Sequence, residues 1–211
     1  MSIDASRIGA AIGRAAGAVQ TLEQELNQAD AKLGDGDTGS MLARVVGAMA
    51  QSGAADATDV SDAFGKLARA GMSATGSSLG TLISGAFLSL SKQTKGRATV
   101  DWSDLSRLLA IVLDGMIARG GASLGDKTVL DSVHALVLAL ADVSDGAQAA
   151  TAARVSANDA LHRYRDLPCR MGRAKFFGDK SVGLDDPGML ACAKLVDAVA
   201  GAETEFANIT T

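Results

Sequence analysis

The 211-residue chain carries 20 Lys and Arg against 24 Asp and Glu, for a formal net charge of -4, and shows no basic cluster. This argues against a nucleic-acid partner, because phosphate backbones are held mainly by clustered cations. Hydrophobic residues make up 47% and aromatics only 3%, with two prolines, a balance that suits closely packed helices better than strands. The longest uncharged apolar run, Ala135 to Ala141 with its flanks, is far short of the roughly 18 residues that span a bilayer, and no secretory leader is evident. We therefore expect a cytoplasmic protein, away from membranes, in which residues 1–211 form a single helical domain.

Ile8, Ile12, Ala15, Val19, Leu22 and Leu26 recur at spacings of three and four and mark the apolar face of a long first helix. That helix delivers Asp30 at its C-terminal end. The next stretch, Gly34-Asp35-Gly36-Asp37-Thr38-Gly39-Ser40, completes a set of three carboxylates and three glycines close in sequence. Carboxylates this close repel one another unless a cation or protons offset the charge, and hard divalent cations prefer oxygen ligands. A solvated turn is the other reading of such a loop. An EF-hand is excluded: counted from Asp35, its sixth and twelfth positions hold Ser40 and Val46 instead of Gly and Glu.

Met41, Leu42, Val45, Val46 and Met49 give a second helix starting near Thr38 or Gly39, so the acidic loop runs straight into a helix N-terminus, which favours anions. Ser52 to Thr58 reads as a polar connection. Val60, Phe64, Leu67 and Ala70 form a third helix, followed by the small, hydroxyl-rich loop Gly71 to Gly80, which offers donors to an anion. Leu82, Ile83, Phe87 and Leu90 place a fourth helix directly after it. Thr99 or Asp101 is expected to cap a fifth, carrying Trp102, Leu105, Leu108, Leu109, Val112 and Met116, with Trp102 in the core.

The loop Gly120 to Thr128 leads into Val129, Leu130, Val133, Leu136, Val137 and Leu140, a sixth helix. It is not a P-loop, since Asp126 stands where Gly must precede Lys127 and the upstream segment reads as helix. An alanine-rich seventh helix from about Ala147 to Arg165 precedes a long loop through Gly172, Arg173, Gly178 and Gly183. Asp186 as N-cap and Pro187 as first helical residue then start the eighth, which includes Leu190, Leu195 and Val199, with a frayed tail from Ala202. His134 and His162 fall inside helices and read as structural, as do the isolated Cys169 and Cys192.

Eight helices and no strand predict an all-α, up-and-down antiparallel bundle or barrel. If the helices alternate in direction, the loops after the first, third, fifth and seventh share one end. These are the four glycine-rich stretches, so the pattern predicts an anion and metal site at one rim of the bundle.

Four segments, Asp30-Ala31-Lys32-Leu33-Gly34-Asp35-Gly36-Asp37, Gly125-Asp126-Lys127-Thr128, Gly172-Arg173-Ala174 and Asp186-Pro187-Gly188, together resemble the nucleotide-binding subunit of the dihydroxyacetone kinases, over nearly the whole chain. The resemblance implies an eight-helix antiparallel barrel holding ADP or ATP at one end through two magnesium ions, with Asp30, Asp35 and Asp37 as metal ligands. It places Thr38, Gly39, Ser40, Met41, Ser77, Ser78, Gly120, Thr128, Val129, Arg173, Asp186, Pro187 and Gly188 at the nucleotide, with Arg173 as the catalytic cation that stabilises the transferring phosphoryl group. It further implies a sugar-binding partner subunit that holds the acceptor covalently, and a phosphoryl source that is either exchanging ATP or a bound ADP rephosphorylated by a phosphotransferase-system protein.

Three departures stand out. Thr38 occupies a position where this family usually has His. The second loop, Gly76-Ser77-Ser78-Leu79-Gly80-Thr81-Leu82, lacks the family's Pro and one of its serines. The third loop carries a tight Gly121-Ala122-Ser123-Leu124 run. The first two bear on phosphate contacts and leave a second function open, a non-catalytic module whose nucleotide state controls binding to a regulator.

Overall fold

The structure, a computed structural model, describes residues 2–209, with side chains described through residue 201. Among them are eight α-helices: α1 (Ala5–Asp30), α2 (Thr38–Ala50), α3 (Val60–Ala74), α4 (Ser78–Gln93), α5 (Leu105–Gly120), α6 (Val129–Ala139), α7 (Gly146–Arg165) and α8 (Pro187–Ile209). Short 3-10 segments lie at Ala54–Asp56, Trp102–Asp104 and Ala174–Ser181. No strand occurs among the described residues, and one isolated bridge pairs Ile3 with Val100. The tail expected to fray from Ala202 lies, for its side chains and for residues 210 and 211, outside the described residues.

Each helix packs against the next in sequence, and α8 packs back against α1, so the up-and-down array closes into a barrel. The apolar stripes turn inward: Ile8, Ala15, Val19 and Leu26 of α1 meet Leu42, Val45 and Met49 of α2 and Leu67 of α3 in one core. Side-chain caps define several of the starts. Asp4, Asp59, Ser77, Thr128 and Asp145 each accept a backbone N–H from the first turn they precede, satisfying donors that have no partner within the helix.

The expected cap at Thr99 or Asp101 is corrected. Val100 is tied to Ile3 by two backbone hydrogen bonds of 2.7 and 2.8 Å, and the chain then makes a tight turn at Trp102–Asp104 before α5 begins at Leu105. Asp104 is engaged by Arg97 and Arg107, which hold its carboxyl below the ordinary range. Trp102 packs against the core and lies beneath the Arg7 guanidinium, 6.0 Å from the ring centre.

The ring encloses an apolar cavity of about 540 Å³ lined by Ile12, Leu42, Phe87, Leu109, Leu136 and Leu195, among others. The cavity accounts for α4, where only Gly80 and Ser84 are fully buried while Ile83, Phe87 and Leu90 are only partly covered. No described helix is long and apolar enough to cross a membrane.

Contacts among the loops and the helix ends that adjoin them place the four glycine-rich stretches at one rim. Arg173 pairs with Asp35, a Cβ at Gly80 would touch Met41 Sδ at 3.2 Å, one at Gly120 would touch Leu82 at 3.7 Å, and Arg170 N–H donates to Asp126 O at 3.0 Å.

Candidate functional site

Asp30 is the last residue of α1 and is buried, yet it makes no ion pair among the described residues. Its Oδ2 accepts the backbone N–H groups of Asp37 at 2.9 Å and Thr38 at 3.2 Å. The acidic loop is thus folded around one carboxylate, which the backbone holds in place. Gly34 is required for this, because a Cβ there would collide with Asp30 Oδ1. Asp35 and Asp37 are exposed, and one carboxylate oxygen from each of the three aspartates lies within 4.8 Å of the others. A cluster of hard oxygen donors, with one member preset by main-chain hydrogen bonds, fits a hard divalent cation such as magnesium. The Arg173 guanidinium reaches the cluster from the far loop and pairs with Asp35.

The start of α2 is drawn tightly against α1. The Asn27 side chain accepts the Ser40 N–H at 3.1 Å and donates to Ser40 Oγ at 2.9 Å, while Ser40 Oγ donates to Glu23 at 2.7 Å. Met41 is buried in the core and its N–H donates to Asp37 O at 2.8 Å. Of the segment Thr38 to Met41, the polar groups of Ser40 and the amides of Thr38 and Met41 are therefore committed inside the protein. Gly39 permits the close approach, since a Cβ would overlap the Glu23 carbonyl oxygen and sit 2.9 Å from Asn27 Oδ1.

On the second loop, Ser77 is the N-cap of α4, accepting Gly80 N–H at 3.0 Å, and Ser78 is exposed as the first helical residue. On the third, Gly120 ends α5 and Thr128 caps α6 in a reciprocal capping box with Asp131, whose buried carboxylate also accepts Gly125 N–H at 2.6 Å. Val129 lies beside Gly188, where a Cβ would be 3.5 Å from Val129 Cβ. Asp186 caps α8 through a 2.9 Å bond from Met189 N–H, and Pro187 is its first residue, as the sequence predicts. Burial pushes the Asp186 carboxyl up to about 6, against the opposing effect of N–H groups from Met189 and Gly188 and the Lys127 charge.

Sequence reasoning passed over Lys127 and Asn27. Lys127 has a left-handed backbone (φ 60°) and is 1% exposed, an unusual burial for an ammonium group. Burial pulls its pKa below the ordinary value, opposed by nearby Cys169, Asp186, Asp185 and Asp166. The only signal for it in the sequence was its place inside a glycine-rich motif. Asn27 carried none, because its partner Ser40 lies on the next helix.

Residues 32–201 match the family model described as the DAK2 domain. The chain is 31% identical to the ADP-binding subunit DhaL of a PEP-dependent dihydroxyacetone kinase from Listeria innocua, over 86% of this chain and 88% of that one. It is 35% identical to L-erythrulose 1-kinase of Mycolicibacterium smegmatis over 84% of this chain but 32% of that longer protein. Among solved structures, the dihydroxyacetone kinase of C. freundii in complex with AMP-PNP and Mg2+ superposes with a TM-score of 0.73 at 25% identity. The alignment takes in 92% of this chain and 33% of that one, so the chain spans about a third of that enzyme's length. On the family match and the Listeria relative together, the chain belongs to the DAK2-domain family of dihydroxyacetone kinase nucleotide-binding subunits.

Proposed function

We propose that residues 1–211 act as one helical domain, the nucleotide- and magnesium-binding subunit of a kinase that presents a phosphoryl group to dihydroxyacetone or a related small ketose held on a partner subunit. The observation that carries this reading is the convergence of Asp30, Asp35 and Asp37 within 4.8 Å at the rim where Arg173 also arrives. In this reading Asp30, already oriented by two amides, provides the fixed ligand, and Asp35 and Asp37 complete the sites for two magnesium ions. When bound, the metal would neutralise phosphate charge and polarise the phosphoryl oxygens. Thr38, Gly39 and the α4 start at Ser77 and Ser78 border the phosphate side. Gly120, Thr128, Val129 and the Asp186-Pro187-Gly188 turn border the rest of the nucleotide. Arg173 exchanges Asp35 for the phosphoryl group and stabilises charge as it develops there.

The relatives of similar length are named ADP-binding subunits of PEP-dependent or PTS-dependent kinases. This supports bound ADP as a resident cofactor, rephosphorylated in place by a phosphotransferase-system protein. The test is nucleotide binding by the native chain and Asp30→Ala, with and without magnesium. Magnesium-dependent ADP or ATP binding that the substitution removes is the expected result, and ADP that survives dialysis supports the resident form. No binding of either nucleotide at millimolar concentration overturns the proposal.

A further inference from the structure

Among the described residues Lys127 makes no hydrogen bond to a carboxylate, although aspartates lie nearby. Its Nζ donates to three backbone carbonyls, those of Arg165 at 3.0 Å, Leu167 at 2.7 Å and Ser181 at 2.9 Å. These use all three donors of the ammonium. Two acceptors lie where the loop leaves α7 and the third lies 54 residues on from Lys127, near where the loop returns towards α8. The same two ends are joined directly by Gly183 N–H to Arg165 O at 2.8 Å and by Cys169 N–H to Ser181 Oγ at 2.8 Å. Lys127 therefore closes the base of the loop that carries Arg173.

From that base the packing leads to the aspartate cluster. Cys169 and Ala174, the residue after Arg173, bury their side chains with Leu33 in a small separate core, and Leu184 packs against it. Leu33 lies between Asp30 and Asp35 on the acidic loop. A contact path thus runs from Lys127 through Ser181 and Cys169 to Leu33 and Ala174, and from there to the Arg173–Asp35 pair. The left-handed backbone at Lys127, uncommon for a residue other than Gly, directs its side chain into this base.

We propose that Lys127 is a positioning residue, whose ammonium group closes the Arg165–Ser181 loop so that Arg173 is held against the aspartate cluster. This rests on the nucleotide-binding reading above for its functional consequence and is independent of it for the loop itself. A carbonyl-lined pocket of this size takes a slender ammonium, and a guanidinium is both broader and planar.

Two measurements test it. In the first, hydrogen exchange is followed by mass spectrometry in the ligand-free full chain. Lys127→Met should speed exchange in residues 166–186 while leaving α3 and α4 at native rates, and acceleration throughout the chain overturns a local role. In the second, Mg-ADP affinity is measured around a double-mutant cycle with Arg173→Ala. Lys127→Met should weaken binding by roughly tenfold in the native background and by little in the Arg173→Ala background. Equal losses in both backgrounds overturn action through Arg173. Lys127→Arg, which keeps the positive charge but replaces the ammonium that the three carbonyls hold with a broader planar group, runs through both measurements if Lys127→Met does not fold. If the native chain binds no Mg-ADP, the nucleotide reading falls and the exchange experiment alone decides the role of Lys127.

Discussion

Arg173 and Asp35 form an ion pair across the rim of the barrel, joining the cation proposed for phosphoryl transfer to an aspartate proposed as a metal ligand. Both side chains are substantially exposed, so the pair contributes little to stability. Its interest lies in competition, since the guanidinium and a metal ion cannot both engage the same carboxylate oxygen.

Arg173→Ala should therefore move two affinities in opposite directions. Binding of Mn2+ alone, followed by its paramagnetic resonance signal, should tighten by about two- to fivefold, the range expected for removing one exposed competing charge. Binding of Mg-ADP should weaken, because the cation facing the phosphates is lost. Loss of both affinities together would argue against competition at Asp35.

Asp30 and Asp37 should separate metal binding from folding. Asp30→Ala leaves the Asp37 and Thr38 amides without their acceptor and should cost about 1–3 kcal/mol in urea unfolding as well as abolishing Mn2+ binding. Asp37→Ala removes an exposed carboxylate and should weaken metal binding with an unfolding midpoint close to native. Equal stability losses in the two variants would contradict the anchoring role assigned to Asp30.

Gly39→Ala should separate α1 from α2. The added methyl meets the Glu23 carbonyl, which is backbone and cannot swing aside, so a loss of about 1–3 kcal/mol is expected. Urea denaturation measures it, and an unchanged midpoint would mean that the two helices part without cost.

Asp186 supplies a pH signature. Its folded-state pKa, about 6, stands above the ordinary 3.8, so the folded protein holds this proton more tightly than the unfolded chain. The resulting penalty is absent below pH 4, grows from about 4 to 6 and is complete above that range. Asp186→Asn, which keeps an oxygen for the Met189 N–H, removes the penalty. Its stability relative to native should be higher at pH 7.5 than at pH 4, as read by urea unfolding at both values. A difference that stays constant with pH would refute the raised pKa.

Periodicity was enough to read the architecture because each helix buries a single stripe, and the three- and four-residue spacing of Ile8 to Leu26 or Leu130 to Leu140 records that stripe directly. Helix parity then placed four glycine-rich loops at one end, where the contacts of Arg173, Met41, Leu82 and Arg170 bring them together. The acidic loop was legible for a related reason: Asp30, Asp35 and Asp37 lie within eight residues of one another, so composition alone concentrates their charge. The start of α5 was not legible. The Ile3–Val100 bridge that redirects the chain joins residues far apart in sequence, and no local propensity records it.

The helices, their order, the family and the cluster of aspartates are properties of neighbours along the chain and can be read from it directly. How side chains distant in sequence are used follows from the tertiary structure. It turned Ser40 towards Asn27 and Glu23, brought Arg173 to Asp35, and buried the Lys127 ammonium among three carbonyls. An ammonium, a guanidinium or a hydroxyl can be satisfied by many acceptors. Which acceptor it meets depends on the packing of helices that bring the two ends of the contact together.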